Sequence, residues 1–176
     1  PTTPAARQES ADTINARALR HSLETFHGHT DRKAVDTAWP HLGSNDRFLR
    51  FAARIAIEAQ PVKEWSKRAL NETDPQAAAV ALIALARQGD PSLQQDILEA
   101  LGKFDLATAD RTAALGLYRA YALCFTRMGR PDQLTLDAVA ARLDPILPTS
   151  DDDINDELVR LLVYLDPPGI IEKGLA

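Results

Sequence analysis

Histidine, aspartate and arginine side chains at close spacing are the residues of this chain with chemistry to offer. His27, His29 and Asp31 fall together in "HGHTD", and His41 follows at a distance. Imidazole and carboxylate donors suit zinc or copper, and a single turn can gather the first three. The same residues also have a plainer use. Gly28 can end a helix in a left-handed cap, His27 then lies near that helix's C-terminus, and Asp31 caps the next helix. A loose HxH is an incomplete ligand set, so the plainer use is expected and no metal or other cofactor is assigned to the chain.

Arg47, Arg50 and Arg54 stand at spacings of three and four, which puts them on one face of a helix. Such a face can hold a phosphate or a carboxylate, or it can form a ladder with aspartates of adjoining units, for which Asp46 and Asp74 are suitable. The ladder is the expectation. The acidic run "SDDDINDE", residues 150–157, lacks the glycine and distal glutamate of an EF-hand loop and reads as a helix start rich in capping acids. Cys124 lies in the apolar "LYRAYALCFTRM" with no charged partner to lower its pKa, and is expected to be a buried, inert thiol. No set of nucleophile, base and orienting acid is identifiable, nor a glycine-rich phosphate loop.

Composition narrows the classes further. With 20 Lys and Arg against 25 Asp and Glu, the net charge of −5 opposes nonspecific attraction to nucleic acid or anionic lipid. One cysteine excludes an internal disulfide and any multi-cysteine metal site, and no CxxCH haem-attachment motif occurs. The longest apolar run, "AAAVALIALA" at 77–86, is about half of what a membrane span needs. It is expected to be a buried helix. The first residue is Pro1 and no signal peptide precedes it, so the chain reads as an excised or processed segment.

These side chains must be carried by helices. Strand signals are nearly absent, while caps and breakers predict helices at about 10–27, 31–41, 45–59, 62–71, 74–88, 91–103, 108–128, 132–146 and 152–165, with another from near Ile170. Gly43-Ser44, Asp74-Pro75, Gly89-Asp90-Pro91 and Gly129-Arg130-Pro131 each combine a helix stop with a start. Short links of this kind force sequential helices to lie antiparallel. The pattern also repeats: an offset of 28 residues superposes Asp46 on Asp74, Ala53 on Ala81, Ile55 on Ile83, Ile57 on Leu85 and Gln60 on Gln88. Recurrence at this length indicates stacked helix pairs, each too small to bury both of its faces alone.

"DRFLRFAA" (46–53) resembles the HEAT-repeat pattern of an aspartate, an aliphatic-arginine pair and an alanine, and "DELVRLLVYL" (156–165) repeats its spacing through Asp156 and Arg160. Two further units depart from it, with Ala78 and Ala114 in the arginine position. The resemblance implies an all-α superhelix, a HEAT/armadillo-like solenoid of about nine to ten antiparallel helices in roughly four to five stacked pairs. Its units would be an N-terminal helix in 1–30, helix pairs at 31–60, 61–89, 90–130 and 131–166, and the start of a further repeat at 167–176. Arg47, Arg50, Arg54 and Arg160, with Asp46, Asp74 and Asp156, would then be ladder or interaction residues.

A narrower resemblance rests on "LRHSLETFHGHTD" (19–31), "WPHLGSNDRFLRFAARIAIEAQPVKEW" (39–65) and "RALNETDPQAAAVALIALAR" (68–87). These phrases are similar to the helical segment of large exported planctomycete proteins that combine a dehydrogenase-like β-propeller with a c-type cytochrome domain. It implies a non-catalytic scaffold or spacer in an exported, multidomain protein, with propeller and haem outside these residues and protein neighbours as partners. The competing class is a HEAT-like enzyme on nucleic acid, such as a DNA glycosylase. The acidic balance and the lack of a continuous basic stripe oppose it.

Overall fold

The computed structural model describes residues 10–170 and 174. Among them the chain is all-helical, with no strand: α1 (Ala11–Glu24), α2 (Ala34–Ala38), α3 (Arg47–Glu58), α4 (Ser66–Leu70), α5 (Pro75–Gln88), α6 (Gln94–Leu101), α7 (Arg111–Met128), α8 (Gln133–Leu143) and α9 (Asp152–Leu165). Most of the helix expected from Ile170 onward lies outside the described residues. Aspartates start four of the five odd-numbered helices. Asp46, Asp74, Asp110 and Asp151 each accept hydrogen bonds from backbone N–H groups of the first turn of α3, α5, α7 and α9, while Ser10 caps α1. Each cap satisfies N–H groups that have no partner within the helix.

The even-numbered helices are shorter than the sequence predicts. Short 3₁₀ turns occupy Trp39–His41 after α2, Val62–Glu64 before α4, Pro91–Leu93 before α6 and Asp144–Ile146 after α8. Prolines at or beside these turns lack the N–H that a continuing α-helix would use. Trp65 separates its 3₁₀ turn from α4 at φ −132°, outside the helical range. Its fully buried indole donates from Nε1 to the carbonyl of Gln60 at 3.3 Å. Packing of this large ring overrides local helix propensity there.

Odd-numbered helices lie side by side in chain order, α1 on α3, α3 on α5, α5 on α7 and α7 on α9, and each of α2, α4, α6 and α8 packs on the odd helix that follows it. Contacts at both ends give the direction. Gly43, ahead of α3, abuts the Asp74 carboxylate that starts α5, and Glu58 at the end of α3 pairs with Arg87 at the end of α5. Gly116 faces Ala79 early in α7 and α5, and Gly89 meets Met128 where both helices end. Arg111 at the start of α7 reaches Asp151 at the start of α9, and Phe125 stacks on Tyr164 toward their ends, with ring centroids 5.2 Å apart. These four helices therefore run parallel. The core sits between the two layers, and α5 is its centre, buried continuously from Ala77 to Ala86. A Cβ at Gly116 would lie 2.8 Å from that of Ala79, so the absent side chain lets α7 settle onto the alanine-rich α5.

Candidate functional site

The "HGHTD" loop is built as a hydrogen-bonded turn. Gly28 takes φ +77°, a left-handed conformation that glycine adopts without a Cβ clash. His27 is half-buried, with Nε2 2.9 Å from the carbonyl oxygen of Ala52 in α3, and His29 Nδ1 lies 3.3 Å from the carbonyl of His27. Gln60, 3% exposed, holds the loop from beneath: its amide nitrogen donates to the carbonyls of His29 (3.1 Å) and Ala56 (3.0 Å), and its oxygen accepts from the Asp31 N–H (2.8 Å). His41 stands apart in the 3₁₀ turn after α2. Among the described residues no three His, Cys, Asp or Glu side chains gather into a ligand group.

Asp31 departs from its expected role. Its Oδ1 accepts from the Lys33 N–H at 2.7 Å, two residues on, and the position preceding α2 is Lys33, which makes no side-chain cap. The bond from its own N–H to Gln60 fixes Asp31 two residues ahead of the capping position. Gln60 escaped the sequence reading as a functional group. A polar residue repeated at the end of an apolar helix pattern was the available signal.

The expected ladder of Arg47, Arg50 and Arg54 with Asp46 and Asp74 does not form among the described residues. Asp46 Oδ1 accepts from the N–H of Phe48 (2.8 Å) and Leu49 (3.4 Å), and Asp74 Oδ1 from that of Ala77 (2.7 Å). A cap contributes about 1 kcal/mol and an exposed ion pair about 0–1 kcal/mol, so these aspartates keep their caps and the arginines find other partners. Arg50 folds back to donate to the Ser44 carbonyl at 2.5 Å, and the Arg47 guanidinium lies 5.0 Å from the ring centre of Phe48. Arg54 does reach a carboxylate, that of Glu58.

Glu58 is the junction that sequence reasoning missed. Its side chain is 6% exposed, and a single oxygen, Oε1, lies 3.7 Å from Arg54 Nε and 3.0 Å from Arg87 Nε. Two cations thus share one buried carboxylate across α3 and α5. Burial holds the Arg54 guanidinium below its ordinary pKa; Glu58 opposes that shift, and the nearby charges of Arg87 and Arg119 add to it. The separation of Glu58 and Arg87 is close to the 28-residue repeat, a signal legible only after the offset is known.

At the other end of the molecule the acidic run behaves as a helix start, with Asp151 accepting from the Ile154 N–H at 3.1 Å. It also carries a cross-helix clamp: Arg111 of α7 pairs with Asp151 at 2.6 Å and with Asp153. Hydrogen bonds from Arg111, and then from the backbone, hold the Asp151 carboxyl below its usual value. Arg160 pairs within α9, 3.7 Å from Asp156 and 3.0 Å from Glu157. Cys124 is buried, and burial pushes its thiol up to about 12, far from the reactive thiolate range. Burial likewise pushes Tyr118 and Tyr121 up to about 12, and the Tyr118 hydroxyl has no hydrogen-bond partner among the described residues. Compared with protein families, with curated proteins and with solved structures, the chain matches none.

Proposed function

We propose that the chain is a non-catalytic, HEAT-like α-solenoid segment that acts as a scaffold, spacer or docking surface within a larger, exported multidomain protein. The observation that carries this reading is the parallel succession of α3, α5, α7 and α9, each started by an aspartate cap and joined to the next at both ends. Such a succession grows by adding neighbours and presents one continuous face to a partner. The planctomycete-like phrases support the exported setting and put haem and propeller outside these residues.

A pyridine haemochrome assay on the protein purified at full length from its native host tests that setting. A c-type haem spectrum is the expected outcome, and a preparation without haem removes the redox setting. The alternative, a HEAT-like enzyme on nucleic acid, is favoured by one observation, the convergence of Arg54 and Arg87. The chain's net charge of −5 opposes it. Salt-sensitive binding to duplex DNA in a low-salt gel shift would overturn the scaffold reading.

A further inference from the structure

We propose that the face shared by α3, α5 and α7 docks an extended acidic peptide, its carboxylates pairing with Arg54, Arg87 and Arg119 and an apolar side chain entering the neighbouring α7–α9 groove. This rests on the scaffold reading and names the partner's chemistry.

Three parallel lines of side chains build the strip. On α3, Phe51, Arg54 and Glu58 recur at spacings of three and four; on α5, Val80, Ile83 and Arg87 do the same; on α7, Leu115, Arg119 and Ala122. The Glu58–Arg87 pair joins the first two lines, and the contact of Gly116 with Ala79, early in two parallel helices, brings Arg119 level with Ile83. Val80 and Ile83 are each only 9% exposed, so the floor is low and apolar between arginine walls.

The charges on this strip do not balance. Glu58 is shared by two arginines, and Arg119, exposed on α7, makes no hydrogen bond or ion pair among the described residues. Like charges brought together on a surface of low polarity favour a bound anion. The whole chain is acidic, so this is a local reversal of sign, and it is confined to α3, α5 and α7, because Asp153, Asp156 and Glu157 of α9 line the cavity on the far side of Arg119. Beyond Arg119 the strip opens into a groove of about 360 Å³, lined by Phe125, Leu161 and Tyr164 with Glu157 and Arg160 at its rim. Arg160 is shared by Asp156 and Glu157, so the groove offers aromatic surface with an acidic edge, which confines the peptide's carboxylates to the arginine side of the strip. Exposed Phe51, with the Arg54 guanidinium 5.2 Å from its ring centre, bounds the opposite side. Carboxylates spaced along an extended backbone, followed by one aromatic residue, match this order of features.

Fluorescence anisotropy on the intact chain tests the strip, using a labelled peptide with a Glu-rich stretch followed by one Phe and a control peptide with Lys in place of every Glu. The acidic peptide is expected to bind and the basic one not to. Arg119→Glu, at an exposed position, is expected to weaken binding about tenfold or more with the melting temperature unchanged, and Lys67→Glu on α4 to leave binding as it was. Absence of acidic-peptide binding by the folded chain, equal binding of both peptides, or equal loss in the two variants would overturn the strip and leave the scaffold reading standing. Tighter binding of a duplex DNA oligomer, abolished by Arg119→Glu, would overturn both.

Discussion

α3 and α5 occupy equivalent places under the 28-residue offset and start from the same aspartate cap, yet their surfaces differ. α5 is buried along ten consecutive residues, whereas α3 leaves Phe48 and Phe51 more than half exposed. The difference lies in what each helix meets. Phe51 of α3 corresponds to Ala79 of α5, and Ala79 faces Gly116, where even a methyl group on the glycine would crowd it. Close approach of α7 demands small residues at the centre of the array, while Phe51 lies against no such close contact and stays exposed. Equivalent backbone therefore carries opposite surfaces, and the charged strip begins where the alanine-rich packing stops.

Exchanging the unlike residues tests this comparison most severely. Ala79→Phe forces a ring into the α5–α7 contact and is expected to destabilise the fold by about 3 kcal/mol, while Phe51→Ala is expected to stay within about 0.5 kcal/mol. Urea denaturation of both variants measures the contrast, and equal effects would mean that the two helices are not differently enclosed. The second pair is Gln60 and Gln88. Gln60→Ala strands the Asp31 N–H and the His29 carbonyl and is expected to cost about 1–3 kcal/mol; Gln88 is exposed, and its replacement is expected to be near neutral. Thermal melts of the two would separate them. The smallest effect is where the helices agree: Asp46→Ala and Asp74→Ala should each cost about 1 kcal/mol. A large inequality between them would show that one aspartate does more than cap.

What was legible in the sequence was local. Aspartates before apolar runs, Pro75 in a first turn and Gly129 at a positive φ all act within a few residues and mark the helices they adjoin, whereas α1 already ends at Glu24 with Thr25 as its cap, so Gly28 shapes the loop beyond it rather than the helix end. The shortened even-numbered helices were not legible, because burial of Trp65 and the proline-linked 3₁₀ turns respond to tertiary packing. Side-chain partners were the least legible. Arg54 and Glu58 are four apart on α3, but whether Arg87 reaches Glu58, and whether Arg111 reaches Asp151, depends on the axial register between helices, which one helix's spacing does not contain. The aspartates of the apparent ladder were already held by their own first turns.

The central position of α5 also governs how the molecule comes apart. Its backbone is covered by α3 and α7 on either side and by α4 and α6 from the second layer. Local openings that start at α1 or α9 expose other amides before they reach it. Among the described residues the amide protons of Ala77 to Ala86 are thus expected to be the slowest clock, exchanging with solvent only when the array opens as a whole, which hydrogen exchange would read.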